Sequence, residues 1–180
     1  TPILLAKRTL DIEPGGVVDI IKSLHLPAGA VLLDIGAFVG YITRPLCDAG
    51  YVVHAFEAQV DSFHCLANNC PQAKLYHRAV GDGRRARPSS EPSEDNGNMG
   101  TRQLDTGDGE PTLRIDDLHL DRVDLAKIDV EGFEPAVLEG MQRTIAKYRP
   151  ALLVEVYPKM MRRYGFNVVD VVRRIPDDYL

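Results

Sequence analysis

Acidic residues close four of the short apolar runs in this 180-residue chain, and their spacing suggests a chemistry before any fold is drawn. The run Ala30–Ile35 (AVLLDI) carries Asp34 and passes into Gly36-Ala37-Phe38-Val39-Gly40-Tyr41-Ile42. Two glycines four apart let a backbone turn tightly and let a ligand lie against it with no Cβ in the way. The turn is not the GxGxxG cradle of a dinucleotide pyrophosphate. A carboxylate at Asp34 beneath it would suit a cationic ligand group and repel a phosphate; its other use would be to cap the next helix. The run Tyr51–Phe56 (YVVHAF) ends in Glu57-Ala58, 23 residues past Asp34, where an acid can accept from the vicinal hydroxyls of a ribose. Ala79-Val80-Gly81 closes the third run, Lys74–Val80, with small residues against which an adenine ring can lie. The fourth, Val123–Ile128, delivers Asp129 and Glu131 to the same rim. Two acids so close can raise one pKa towards neutrality and supply a base. They can equally share a divalent cation, but no metal is predicted. Glu155, in the fifth run Ala151–Val156, and Tyr157 just beyond it are expected at the second-substrate rim, with Asn98 on a lid above them.

The elements that must position these groups follow from periodicity. Near-continuous Val/Leu/Ile runs of this length suit strands buried on both faces of a parallel sheet. Helical patterns lie between most of them: Gly16–His25, the stretch from the glycine turn to Ala49, Asp61–Asn69, Gly132–Lys147 and Tyr164–Ile175, the last capped by Asn167 with Asp170 three residues on. Pro45 implies that the second helix starts late or kinks. Alternation of strand and helix predicts an α/β fold, a Rossmann-like, open and mostly parallel sheet with helices on both faces. One domain over 1–180 is expected, with residues 1–29 as a helical lead-in. Residues 81–111, dense in Pro, Ser, Gly and charge, form an insertion that is either a lid or a solvated linker. Thr112–Leu118 returns as a short strand. The pattern offers five strands and no closing strands before Leu180, which leaves an edge that a homodimer could cover.

Composition narrows the function classes. Acidic residues outnumber basic ones 26 to 21, a net charge of −5, so no whole-protein field attracts nucleic acid. No apolar run approaches the ~20 residues of a membrane span. The three cysteines suit reduced thiols and a cytoplasmic location, and form no metal-ligand spacing. No GxSxG elbow points to a hydrolase.

Together these features describe a nucleoside pocket whose tail is cationic, a description that S-adenosylmethionine fits. The segments DIGAFVGYIT, FEAQVDSF, AVGD, IDDL, KIDVEGFEPAVLEGM and RPALLVEV, in this order, resemble an FkbM-type methyltransferase, a class I S-adenosylmethionine-dependent enzyme. The likeness runs from about Ala30 to Phe166. It implies a cofactor held by Asp34, Gly36, Gly40 and Glu57, with Ala37, Phe38, Tyr41, Ile42, Ala58, Ala79, Val80 and Asp129 completing the contacts. It further implies methyl transfer to a hydroxyl of a small molecule, sugar or glycan, with Asp129 and Glu131 as the expected catalytic acids. Phe38 stands where the family often has Asn, and Ala58 where Pro often follows the acid. A nicotinamide-dependent oxidoreductase and a non-catalytic binding module are the alternatives.

Overall fold

The computed structural model describes residues 3–7, 14–89 and 103–179. In chain order the elements are β1 (Ile3–Lys7), α1 (Pro14–Ser23), β2 (Val31–Ile35), α2 (Thr43–Asp48), β3 (Val52–Glu57), α3 (Val60–Asn69), β4 (Lys74–His77), β5 (Arg85–Pro88), β6 (Leu104–Thr106), β7 (Glu110–Pro111), β8 (Leu125–Ile128), α4 (Glu134–Glu139), α5 (Gln142–Tyr148), β9 (Ala151–Val156), α6 (Pro158–Met161) and α7 (Val168–Val172). Six strands form one parallel sheet in the order β1-β9-β8-β2-β3-β4. The fold is the expected Rossmann-like α/β arrangement. The inner strands β2, β3, β8 and β9 are largely buried on both faces, as continuous apolar strands require. Leu32, Val53 and Leu125 pack with Val18, Ile21 and Leu46 on the α1/α2 side, while Leu33, Ile35 and Ile128 pack with Val137, Ile145 and Val171 on the other. After β4 the chain returns to the far side of β2, so strand order reverses between β2 and β8. Ligands bind beyond the carboxyl ends of strands at such a point.

Several elements differ from the sequence reading, each for a physical reason. Ile3–Lys7 is a strand rather than part of a helical lead-in; it pairs parallel with β9 from Ile3↔Leu152 to Lys7↔Val156 and gives the sheet a sixth member. The third run is a strand only to His77, and Val80 makes a single bridge to Leu113 instead. Thr112–Leu118 accordingly holds that bridge and one 3-10 turn, Ile115–Asp117, rather than a strand. The single helix expected over Gly132–Lys147 is two. Its break lies at Gly140, where the Asp116 amide donates to the Gly140 carbonyl (3.1 Å). The Asp116 carboxylate then starts α5 anew by accepting from the amides of Arg143 (3.0 Å) and Thr144 (2.8 Å). The expected Tyr164–Ile175 helix is likewise shorter, because the chain turns left-handed at Gly165 (φ 75°) and restarts at Asn167 with a full capping box to Asp170. α2 begins late, at Thr43, which places Pro45 in its first turn, where a missing N–H costs nothing.

The described parts of the insertion are structured rather than linker-like. β5, β6 and β7 make an antiparallel sheet in the order β6-β5-β7, seated on the main body through Ala86 and Leu104, which pack with Phe133 and Ala136. Asn98 lies outside the described residues. No described helix is long and apolar enough to cross a membrane.

Gly140 gives a direct test of this packing. A Cβ there would sit 1.8 Å from the Gly81 carbonyl oxygen, whereas one at Gly15 in α1 meets nothing within 4 Å. Gly140→Ala is expected to lower unfolding stability by about 2–3 kcal/mol. Gly15→Ala is expected to raise it by about 0.5 kcal/mol. Urea denaturation of both variants measures the difference.

Candidate active site

The β2/β8 reversal opens into a cavity of about 200 Å³, whereas an apolar gap beneath α1 offers about 10 Å³, too little for a ligand. Of the residues expected at a site, Gly36, Ala37, Phe38, Tyr41, Ile42, Glu57, Ala58, Ala79, Val80, Asp129 and Glu131 line the cavity. Asp34, Gly40, Glu155 and Tyr157 are not part of that lining.

Asp34 is turned inward instead. It is buried at 1% exposure, accepts from the Thr43 hydroxyl through Oδ2 (2.6 Å) and faces the Lys127 ammonium through Oδ1 at 3.3 Å. Its carboxylate is committed to the chain's own cation and to the start of α2, so a cationic ligand group is not what it meets. The same ammonium donates to the Gly36 carbonyl (2.8 Å) and pairs with Asp129 Oδ2 (3.4 Å). Burial alone would lower the pKa of Lys127; Asp129 and Asp34 outweigh it, and the net shift is upward.

The glycines of the turn serve the chain more than a ligand. A Cβ on Gly36 would lie 1.8 Å from the Asp129 carbonyl, and one on Gly40 would lie 2.4 Å from the Cys70 sulfur. Phe38 between them has φ 52°, a left-handed conformation that suits Asn or Gly and strains a Phe. What holds it there is Glu57, whose Oε2 accepts the Phe38 amide (2.8 Å) and whose Oε1 accepts the Gln59 amide (2.7 Å). Burial raises the Glu57 pKa, and these amides oppose the rise. The Ala58 amide acts on the same carboxylate in the same sense.

On the opposite wall, Glu131 (φ 54°) and Gly132 (φ 100°) form a left-handed pair that ends the strand exit of β8. The carboxylate of Glu134 holds this loop: its Oε1 accepts from Val130 (3.1 Å) and Gly132 (3.0 Å). Glu134 is almost wholly buried, which pushes its pKa up to about 7 despite those amides. It is a clamp on the loop. Asp129, Glu131 and Glu155 bring carboxylate oxygens within 4.8 Å of one another. That spacing would suit a cation, yet acids cluster without one often enough that spacing alone assigns no metal, and Lys127 already faces Asp129 with positive charge. Burial and the neighbouring Asp129, Glu131 and Glu134 carboxyls raise the Glu155 pKa far above the ordinary range.

Lys127, Gln59, Arg78 and Leu104 are among the lining residues that sequence reasoning missed. Lys127 stands inside an apolar strand, and a charged residue in a fully buried run was the available signal. Gln59 and Arg78 also line the cavity; the Arg78 guanidinium donates to the Pro111 carbonyl (2.7 Å) and ties β4's exit to β7. Leu104, on β6, reaches the cavity because the Tyr164 hydroxyl grips both its amide (2.9 Å) and its carbonyl (3.1 Å).

Comparison with known proteins adds to this geometry. The family model described as "Methyltransferase FkbM domain" matches residues 34–174. A crystal structure of an FkbM methyltransferase from Methylobacillus flagellatus KT superposes with TM-score 0.56 at 18% identity, over 92% of this chain and 45% of that one. Magnesium protoporphyrin IX methyltransferase from Synechocystis PCC 6803, solved with bound SAM, gives TM-score 0.54 at 13% identity over 89% of this chain and 64% of that one. A curated tRNA (guanine(37)-N(1))-methyltransferase from Aedes aegypti is 38% identical over 69 residues, 38% of this chain and 11% of that protein. The chain thus spans about a tenth of that relative and under half of the FkbM structure.

Two measurements test the electrostatics. Lys127→Met leaves Asp34 buried without its cation and is expected to cost about 3–5 kcal/mol, of which Asp34→Asn in the same chain recovers part. For Glu134 the folded pKa of about 7 exceeds the ordinary 4.5, so folding takes up a proton. Its stabilising contribution is full below 4.5 and is lost as pH rises through 7. Glu134→Gln is expected to flatten the stability–pH curve over that window.

Proposed function

The chain belongs to the FkbM methyltransferase domain family, a class of S-adenosylmethionine-dependent enzymes, and from that premise we propose that it methylates a hydroxyl oxygen of a small molecule, sugar or glycan. The observation that carries this reading is the pair of opposed acids at the strand reversal: Glu57 on one side of the cavity and Asp129 on the other.

The residues present fit such a cofactor. Glu57 is fixed by backbone amides, and its carboxylate is the acceptor for the ribose hydroxyls. Ala58, Ala79 and Val80 supply small, apolar contacts suited to an adenine ring, and the turn from Gly36 to Ile42 faces the amino-acid tail. Asp129, 38% exposed at its side chain and held by Lys127, faces the reacting end. When bound, S-adenosylmethionine supplies an electrophilic methyl group on a sulfonium. The protein's part is to align an acceptor oxygen in line with it and to take that oxygen's proton, for which a carboxylate at Asp129 is the base and Glu131 the second acid. Glu155 and Tyr157, in and just after β9, lie outside the cavity lining, and Glu155 would act at the acceptor side through Asp129, which it meets.

Calorimetry with S-adenosylhomocysteine and with NAD tests the cofactor directly, with binding of the first alone expected. Glu57→Gln is expected to weaken S-adenosylmethionine binding about 10- to 100-fold, from the loss of charge-assisted hydrogen bonds. Asp129→Asn should cut kcat by about 10²–10⁴, far more than it weakens cofactor binding. Equal losses of turnover and affinity would return Asp129 to a structural role.

A further inference from the structure

Asp129 and Glu155 meet at the carboxyl ends of adjacent strands, with Glu131 close enough that one oxygen from each lies within 4.8 Å of the others. The Asp129 and Glu155 side chains are hydrogen-bonded to each other, and two carboxyl groups can do this only if a proton lies between them. Lys127, 3.4 Å from Asp129, favours the charge on Asp129 and so the proton on Glu155. The other charges that act most strongly on Glu155 are acidic: Glu131 on the loop after β8 and Glu134 on α4. On the β1 side its register partner is Ala6, which does not titrate, and Tyr157 and Lys159 follow it in the chain.

We propose that the Asp129–Glu155 pair couples a proton to the charge of the cofactor, releasing it as S-adenosylmethionine enters and recovering one when the methyl group leaves. The inference rests on the methyl-donor reading of the cavity. A sulfonium and an ammonium beside Asp129 make a second negative charge on the pair tolerable, so Glu155 gives up its proton on binding. In the transfer step the acceptor's O–H bond breaks as an O–C bond forms from the oxygen's electron pair. The C–S bond breaks with its pair going to sulfur, and the sulfonium becomes a neutral thioether. The positive charge that had held the pair fully ionised is then gone, and the acceptor's proton goes to Asp129 and is shared with Glu155. Glu155 is thus a positioning residue: it acts on the reaction through Asp129. Its raised pKa, caused first by burial and then by these neighbouring acids, agrees with a proton held in the empty pocket at neutral pH.

Titration calorimetry of the full chain with S-adenosylmethionine and with S-adenosylhomocysteine, at pH 7 in buffers of different ionisation enthalpy, counts the protons exchanged. The sulfonium ligand is expected to release more protons than the thioether, by an excess of up to about one per site. Because release is favoured at low proton concentration, the ratio of the two affinities should rise with pH between 6 and 8, by at most about tenfold per unit. In Glu155→Gln both ligands should bind and the difference in proton count should vanish. Equal counts for the two ligands in the unaltered protein would overturn the proposal, and so would a difference that persists in Glu155→Gln. If that variant does not fold, the comparison in the unaltered protein decides. Binding of neither ligand would instead bring down the methyl-donor reading and this inference with it.

Discussion

Lys127 gives up its water on burial, and only nearby anions can offset that cost. The chain provides two, Asp34 from β2 and Asp129 from the end of β8, together with the carbonyl of Gly36. One ammonium therefore joins the two strands that flank the reversal and the turn that forms the floor of the cavity. The charge so consumed decides what is left for a ligand. Asp34 is spent within the protein, Asp129 keeps part of its surface exposed, and Glu57 across the cavity is anchored by amides rather than by a cation. The acids that line the cavity stand apart because they end β3 and β8, the strands on either side of β2, whose own acid is paired with Lys127.

Much of this was legible in the chain. Five Val/Leu/Ile-rich runs announced the parallel sheet because strands buried on both faces leave no room for polar alternation. Asp34, Glu57 and Asp129 stood out because strand ends are where such sheets place their chemistry. What stayed hidden depends on contacts distant in sequence. β1 is only a four-residue apolar run with one lysine, and its identity as a strand comes from the edge that β9 offers it. The break between α4 and α5 is imposed by Asp116, more than twenty residues upstream. The insertion read as a lid or a solvated linker, not as a small sheet, because Ala86 and Leu104 are isolated apolar residues whose burial needs Phe133. In the site, the carboxylate at position 34 was visible, but its counter-ion was not, since nothing in sequence links it to residue 127.

Three of the glycines in the segments that carry the family resemblance answer to close approach of backbone. Gly36 leaves space for the Asp129 carbonyl, Gly132 for the Met160 backbone, and Gly140 for the Gly81 carbonyl. Each marks a place where two backbones touch without side chains between them. The two non-glycine residues bent left-handed at the cavity, Phe38 and Glu131, sit one on each wall. Strain of this kind, of order 1–3 kcal/mol per residue, persists where the surroundings over-determine it. Here those surroundings are the carboxylates of Glu57 and Glu134, each holding its loop by two amides.

The strand order also has a history. Synthesis proceeds from the amino end, yet β2 finds its partner on one side only when β8 has been made, some ninety residues later, and β1 must wait for β9. Of the described strands, the earliest made is thus the last to be paired. Parallel pairings of such separation form slowly, since the entropy of closing a long loop must be met before any contact rewards it. Until then β2, β3 and β4 present an open apolar flank in the nascent chain, which makes the interval before residue 128 emerges the period of greatest exposure to aggregation.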